Sequence, residues 1–134
     1  MPAARQPRHR ILIVDDAGEA RAILSIALGT IAGASVETAG NAEEALRSMS
    51  EIRADVLITD VRMSGMSGFD LLQKLRERRC WPSRGAVVIS GETDPDWPRR
   101  AMACGADLFF RKPFSTSEVR QSVISLLEGH DAPR

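Results

Sequence analysis

Four apolar runs in this chain each end on a polar or charged residue, and this pattern constrains the fold more than any other feature. The runs are ILIV before Asp15 and Asp16, VLIT before Asp60, VVI before Ser90, and LFF before Arg111 and Lys112. Short runs of this kind predict buried strands of a parallel sheet. Because ligands of open α/β sheets bind beyond the carboxyl ends of the strands, three carboxylates, one hydroxyl and one ammonium are expected to converge at one edge.

The segments between the runs carry helical periodicity, so helices are expected to alternate with the strands. Ala20, Leu24 and Leu28, for example, recur at the spacing of an amphipathic helix. Beyond the ILIV strand, strands are predicted over 35–39, 55–59, 86–90 and 107–110. The predicted helices are one over 17–31, one capped by Asn41, one over 69–79, a short one that begins near 96–98, and one capped by Ser115. This alternation predicts a doubly wound, three-layer α/β domain at 10–128, between flexible tails at 1–9 and 129–134.

The composition narrows the class of protein. A length of 134 residues suits a single domain. Eighteen basic and eighteen acidic residues cancel, which argues against general attraction to nucleic acid or to a membrane surface. The two cysteines, Cys80 and Cys104, fit neither a disulfide framework nor a zinc site. No signal peptide or membrane span is expected, and the prediction is a cytoplasmic protein.

The polar strand ends have the chemistry of a magnesium-dependent phosphoryl site. Mg2+ prefers oxygen ligands and is commonly held by a few carboxylates, a phosphoryl oxygen and water. An aspartate can itself attack phosphorus, while a lysine and a hydroxyl can stabilise the phosphoryl oxygens. Sixteen of the eighteen basic residues are arginine, so Lys112 indicates a place where a compact ammonium is needed. Lys74, on an ordinary helix face, shows that chance alone can also retain a lysine.

Each of these residues has a structural alternative. Asp16 with Glu19 fits a capping box for the first helix. Asp60 and Ser90-Gly91 fit ordinary turns, and Lys112-Pro113 fits a surface exit. The combination of residues and their order along the chain favours the functional interpretation.

Four motifs carry a resemblance to a known family: ILIVDD, VLITDVRMSGMSG, VVISGE and GADLFFRKPF. Asp60 and Ser90 are thirty residues apart, and Ser90 and Lys112 are twenty-two apart. Over about residues 9–128 the chain resembles the receiver domain of response regulators in two-component signalling. The resemblance implies a CheY-like sheet of five parallel strands in the order 2-1-3-4-5, with five helices.

The resemblance also implies a role for each polar strand end. By the resemblance, Asp60 is expected to be the phospho-acceptor and Lys112 the lysine that pairs with phosphate. The expected Mg2+ ligands are Asp15, Asp16, Asp60 and the backbone carbonyl of Arg62. Ser90 and Phe109 are the expected switch residues, and the peptide bond before Pro113 is expected to be cis. Such a protein is a signalling phospho-acceptor and not an enzyme in the usual sense.

The implied partners follow from that role. A sensor histidine kinase or a histidine phosphotransfer protein is expected to supply the phosphoryl group. A downstream protein is expected to bind the face formed by the fourth helix, fifth strand and fifth helix. A homodimer is possible, whereas binding of DNA or a membrane by this domain is not expected. Whether the chain acts alone or is part of a longer protein is left open.

Two other functions remain open from the sequence. One is a pseudo-receiver, an interaction module that is never phosphorylated. The other is a magnesium-dependent phosphatase with an aspartate nucleophile. Such enzymes typically carry a second aspartate two residues after the first, where this chain has Arg62, and a cap for which it has no length.

Several positions depart from the common receiver pattern. The departures are Ser64 where proline is frequent, Phe109 where tyrosine is frequent, Arg62 and Glu92 beside the site, and Pro95 and Pro98 at the entry to the fourth helix. Ser64 predicts a more mobile loop, and Phe109 lacks a hydroxyl. Arg62 and Glu92 either pair across the mouth of the site and alter the lifetime of the phosphate or remain two solvated charges.

Overall fold

Five strands alternate with five helices in the computed structural model, which describes residues 8–129. In chain order the elements are β1 (His9–Val14), α1 (Gly18–Gly29), β2 (Ala34–Ala39), α2 (Ala42–Glu51), β3 (Val56–Thr59), α3 (Gly68–Glu77), β4 (Gly85–Ser90), α4 (Trp97–Ala103), β5 (Leu108–Arg111) and α5 (Thr116–Leu127). The strands form one parallel sheet in the order β2-β1-β3-β4-β5. The predicted fold class and strand order are therefore confirmed.

The alternation of side chains along each strand divides the apolar core into two layers. In β1, Leu12 and Val14 pack on the face covered by α2, α3 and α4, whereas Ile11 and Ile13 pack on the face covered by α1 and α5. Every residue of β3 and β4 is buried. Because both faces of these central strands are covered, they consist of continuous apolar runs.

The register of the sheet brings the polar strand ends together. Val14 pairs with Thr59, and Thr59 pairs with Val88. Just beyond the strands, the Asp60 amide donates to the Val14 carbonyl at 3.0 Å, and the Lys112 amide donates to the Ser90 carbonyl at 2.9 Å. The residues that end β1, β3, β4 and β5 consequently lie along one edge of the sheet, as the apolar runs predicted.

The LFF run departs from the prediction of a buried strand, which is wrong for β5. Its burial alternates, and 40% of the Phe109 surface is exposed. Among the strands of residues 8–129, β5 pairs only with β4 and forms one edge of the sheet. Because an edge strand is covered less completely than a central one, this apolar run is half exposed.

Side-chain caps mark the beginning of some of the helices. The Asn41 and Ser115 side chains accept hydrogen bonds from the Glu44 and Glu118 amides, which confirms both predicted caps. The alternative role of Asp16 as a cap is wrong, because α1 begins after Ala17 without a side-chain cap. The helix also ends at Gly29, two residues before its predicted end at 31.

The first strand begins inside the segment predicted to be an N-terminal tail. β1 begins at His9, and the Arg8 amide donates to the Gly33 carbonyl at 2.8 Å, so residues 8 and 9 join the fold and not the tail. Residues 1–7 of the predicted N-terminal tail and residues 130–134 of the predicted C-terminal tail lie outside the described residues. Over residues 8–129, no helix is both long and apolar enough to span a membrane.

Candidate functional site

Two buried carboxylates share one ammonium at the edge of the sheet. The Lys112 Nζ donates to Asp60 Oδ2 at 2.8 Å and to Asp15 Oδ2 at 3.2 Å. Asp15 and Asp60 are only 4% and 9% exposed, whereas the Lys112 side chain is 30% exposed. Lys112 is thus held between the strand ends as a counterion for two acids that would otherwise repel each other.

The charged form of Lys112 is stabilised by these contacts. Burial by itself would lower the pKa of the Lys112 ammonium. The hydrogen bond and charge of Asp60, together with those of Asp15, outweigh burial and raise the pKa above its ordinary value of 10.5. The ammonium is therefore protonated throughout the neutral range, as a group that pairs with an anion must be.

Replacing Lys112 with methionine is expected to lower the free energy of unfolding at pH 7.5. The loss should be about 1–3 kcal/mol, below the value for a fully buried pair because Lys112 is partly exposed. A group with a raised folded pKa stabilises the fold below its unfolded pKa and ceases to do so as pH rises through the folded pKa. The difference between wild type and Lys112→Met should therefore shrink as pH rises above 10.5.

Urea unfolding with EDTA, followed by circular dichroism from pH 7.5 to pH 11.5, measures the free energy of unfolding of both proteins at each pH. The chain suits the experiment because it has no tyrosine and one other lysine, Lys74. Lys74→Met is the matched control and should change stability little at any pH. A difference in the free energy of unfolding between wild type and Lys112→Met that stays constant across this pH range would contradict the raised pKa of Lys112.

The second oxygen of Asp60 is held by the backbone. Asp60 Oδ1 accepts hydrogen bonds from the amides of Val61 at 2.6 Å and Arg62 at 3.3 Å. Asp60 Oδ2 meanwhile contacts Lys112. This arrangement fixes the orientation of the carboxylate, and the cleft beside it has a volume of about 280 Å³. The cleft is lined by Asp60, Arg62, Ser90, Gly91, Glu92, Thr93 and Lys112.

Asp15 and Asp60 provide a donor set that fits Mg2+. Their Oδ2 atoms converge on one cation, Lys112, and two carboxylates with water and a phosphoryl oxygen are a common magnesium environment. Asp16 is exposed, and its Oδ2 accepts from the Ser64 amide at 3.1 Å. Within residues 8–129, no three acidic, histidine or cysteine side chains are grouped as a ready metal site. The roles of Asp15, Asp16, Asp60 and the Arg62 carbonyl as metal ligands stay predictions.

Arg62 and Glu92 pair beside this cleft. Arg62 Nε lies 2.8 Å from Glu92 Oε2, and Arg62 Nη2 lies 3.1 Å from Glu92 Oε1. Each of the two residues follows a strand-end residue, Asp60 or Ser90, by two positions. Of the two alternatives left by the sequence, the structure therefore has the pair and not two separately solvated charges.

Ser90 and Phe109 lie near one another in the sheet but in different environments. The Ser90 side chain is 1% exposed, and its Oγ accepts from the Glu92 amide at 3.1 Å. Phe109 is exposed and packs edge-on against the buried Trp97 ring at 5.6 Å. The Lys112-Pro113 peptide bond is cis, as predicted.

Two supporting residues were missed by the reasoning from sequence. Gly68 opens α3 directly against the end of β3, where an added Cβ would lie 2.0 Å from the Asp60 carbonyl oxygen. Arg21 donates from Nη1 to the Asp15 carbonyl at 2.6 Å and so supports the turn after β1. Ser67 and Asp70 form a complete capping box at the start of α3, and this pattern was the sequence signal that could have identified Gly68.

Comparison with known proteins identifies the family. The sequence profile described as "Response regulator receiver domain" matches residues 11–124. The chain belongs to the response-regulator receiver family. The resemblance seen in the sequence is thereby confirmed over nearly the whole domain, and the matched range contains the Asp15–Asp60–Lys112 cluster.

Similar proteins include both transcriptional and chemotaxis regulators. The probable transcriptional regulator ycf27 of Cyanidium caldarium is 34% identical over 90% of this chain and 47% of its own length. The transcriptional regulatory protein KdpE of Mycobacterium tuberculosis is 36% identical over 81% of this chain and 46% of its own length. This receiver thus spans about half the length of these two relatives or less.

Solved structures agree with the fold. The chemotaxis protein CheY4 of Vibrio cholerae superposes with a TM-score of 0.79 at 30% identity, and the match covers 88% of this chain and 98% of CheY4. The crystal structure of FixJ-N superposes with the same TM-score at 31% identity, and the match covers 93% of this chain and 98% of FixJ-N. Both neighbours are matched over almost their entire length.

Proposed function

We propose that this receiver accepts a phosphoryl group on Asp60 in a two-component phosphorelay. The observation that carries the proposal is the position of the Asp60 carboxylate. It is buried at a strand end, oriented by the Val61 and Arg62 amides, and paired with Lys112 at 2.8 Å beside an open cleft. A carboxylate that is oriented in this way can attack phosphorus, and the ammonium can stabilise the charge that develops on oxygen.

The donor is proposed to be a phosphohistidine of a sensor kinase or a phosphotransfer protein. An Asp60 oxygen forms the new P–O bond as the P–N bond breaks, and the histidine nitrogen leaves with its electron pair and takes up a proton. Lys112, already between Asp15 and Asp60, binds an oxygen of the transferred phosphoryl group. Ser90, which lines the cleft, donates a hydrogen bond from its hydroxyl to another phosphoryl oxygen.

Mg2+ is the proposed cofactor, held by Asp15 and Asp60 with contributions from Asp16 and the Arg62 carbonyl. When bound, it would neutralise the negative charge that a phosphoryl group brings next to two carboxylates. The chain's own residues orient the nucleophile and separate the two acids, because Lys112 lies between them.

The output is proposed to be a change at the face formed by α4, β5 and α5. Ser90 moves toward the phosphoryl group, and Phe109, now exposed against Trp97, turns into the space that Ser90 leaves. This is a shift between two conformations, biased by new contacts to phosphate. A downstream protein in the cytoplasm, or a second copy of the receiver, then binds the altered face.

Labelling with a small phosphodonor tests the proposal. Incubation with phosphoramidate and Mg2+ should add the mass of one phosphoryl group to the intact protein, and EDTA should prevent the addition. Borohydride reduction of the acyl phosphate followed by peptide sequencing should locate the modified residue at Asp60. A label at a serine or histidine, or a label that is independent of Mg2+, would contradict the proposal.

The same labelling, together with an assay on a small phosphate ester, distinguishes the two other functions. A pseudo-receiver would remain unlabelled under all conditions. A phosphatase would release phosphate from a small ester such as p-nitrophenyl phosphate with many turnovers, whereas a phospho-acceptor should take up one equivalent. Arg62, where such phosphatases typically carry a second aspartate, is engaged with Glu92, which favours the phospho-acceptor.

A further inference from the structure

Glu92 connects the phosphorylation site with the segment that leads into α4. Its amide donates to Ser90 Oγ at 3.1 Å, and its carboxylate binds the Arg62 guanidinium through both oxygens. Ser90 and Arg62 both line the cleft beside Asp60. Two contacts of Glu92 are therefore made with groups that a phosphoryl group on Asp60 would approach.

The same carboxylate also orders the loop that follows it. Glu92 Oε1 accepts from the amides of Thr93 at 3.1 Å and Asp94 at 3.4 Å. The Asp94 carbonyl in turn accepts from the amide of Trp97, the first residue of α4, at 3.2 Å. The Glu92 side chain is only 12% exposed although it is charged, and the Arg62 side chain is 80% exposed. The half-buried Glu92 carboxylate depends on these donors, whereas the Arg62 guanidinium can turn toward another anion.

We infer that Glu92 is a latch that holds the β4–α4 loop, residues 91–96, in its resting conformation until a phosphoryl group on Asp60 competes for Arg62 and Ser90. A phosphoryl group carries more negative charge than the carboxylate it replaces, so it attracts Arg62 and repels Glu92. Arg62 is well placed for the exchange, because its own amide already donates to Asp60 Oδ1. Once the contacts of Glu92 with Arg62 and Ser90 are lost, its hydrogen bonds with the Thr93 and Asp94 amides weaken. The loop at the start of α4 is then free to change conformation.

The inference rests on the proposed function, since it assigns to that site a specific route toward α4. It does not require Glu92 to touch the reacting atoms, so Glu92 is a positioning residue. Its removal should therefore still allow Asp60 to be phosphorylated while it changes the loop. This separation allows the latch and the phospho-acceptor role to fail independently.

Amide exchange measured by NMR at Thr93 and Asp94 tests the latch in the resting state, without any phosphodonor. Glu92→Gln removes the charge that binds Arg62 and weakens the acceptor for both amides. Exchange at Thr93 and Asp94 should become about two- to tenfold faster, the effect of losing an ordinary hydrogen bond. Glu51→Gln, which alters an exposed residue at the end of α2, is the matched control and should leave both rates unchanged. Equal rates in wild type and Glu92→Gln would overturn the inference.

A second arm uses beryllofluoride with Mg2+ as the probe of the phosphorylated state. In wild type, binding of the probe should accelerate exchange at Thr93 and Asp94 to the level of resting Glu92→Gln. In Glu92→Gln, the probe should add little further acceleration, while phosphoramidate should still label Asp60 and no other residue. Probe binding without any change in the wild-type loop would overturn the latch alone. Loss of labelling in wild type would instead overturn the proposed function.

Discussion

Replacement of Asp60 with asparagine is expected to abolish phosphoramidate labelling. The amide has nearly the same shape as the carboxylate and can still accept from the Val61 and Arg62 amides, so the fold should persist. It is not a nucleophile at neutral pH and removes one of the two charges that bind Lys112. Intact-protein mass spectrometry should detect no phosphorylated Asp60→Asn under conditions that label wild type fully.

Asp55→Asn is the matched control for this variant. Asp55 immediately precedes β3 and Asp60 immediately follows it, so the two aspartates lie at opposite ends of the same strand. Asp55 accepts from the Arg10 amide and from the Ser83 hydroxyl, which can rotate to accept from an asparagine amide instead. Labelling of Asp55→Asn should equal that of wild type. Labelling that persists in Asp60→Asn would exclude Asp60 as the acceptor.

The parts of the site predictable from sequence are those that depend on the ends of buried strands. β3 and β4 are covered on both faces, so their apolar runs and the residues that follow them could be identified directly. Once the strands are parallel, Asp60 and Ser90 must lie at the same edge. The Arg62–Glu92 pair was a foreseeable possibility for the same reason, because each residue lies two positions beyond a neighbouring strand end.

Other features depend on tertiary contacts that leave no local pattern. A run of three apolar residues cannot distinguish a central strand from an edge strand, so the exposure of Phe109 could not be foreseen. The sequence around Asp16 is compatible with a helix cap, but the Asp16 carboxylate accepts a hydrogen bond from the Ser64 amide, forty-eight positions away. The choice between these partners depends on where the β3–α3 loop lies, and that position is set by the packing of α3.

Replacement of Gly68 with alanine is expected to have the largest effect on stability. Gly68 is the first residue of α3, and its amide donates to the Val61 carbonyl at 2.8 Å. A Cβ at this position would lie 2.0 Å from the Asp60 carbonyl oxygen, 3.0 Å from the Asp60 carbonyl carbon and 3.1 Å from Val61 Cα. These are backbone atoms, so relief requires α3 or the end of β3 to move. The free energy of unfolding should fall by more than about 3 kcal/mol.

Gly29→Ala separates this steric effect from the general effect of replacing a helical glycine. Gly29 is the last residue of α1, and an added Cβ there would meet no atom within 4 Å. Alanine should leave stability unchanged or raise it by up to about 1 kcal/mol, because it reduces the conformational freedom of the unfolded chain. Urea unfolding of both variants by circular dichroism measures the difference. Equal midpoints would show that α3 can begin elsewhere on β3, whereas a large gap, together with weaker labelling of Asp60 in Gly68→Ala, would show that this close approach positions the acceptor.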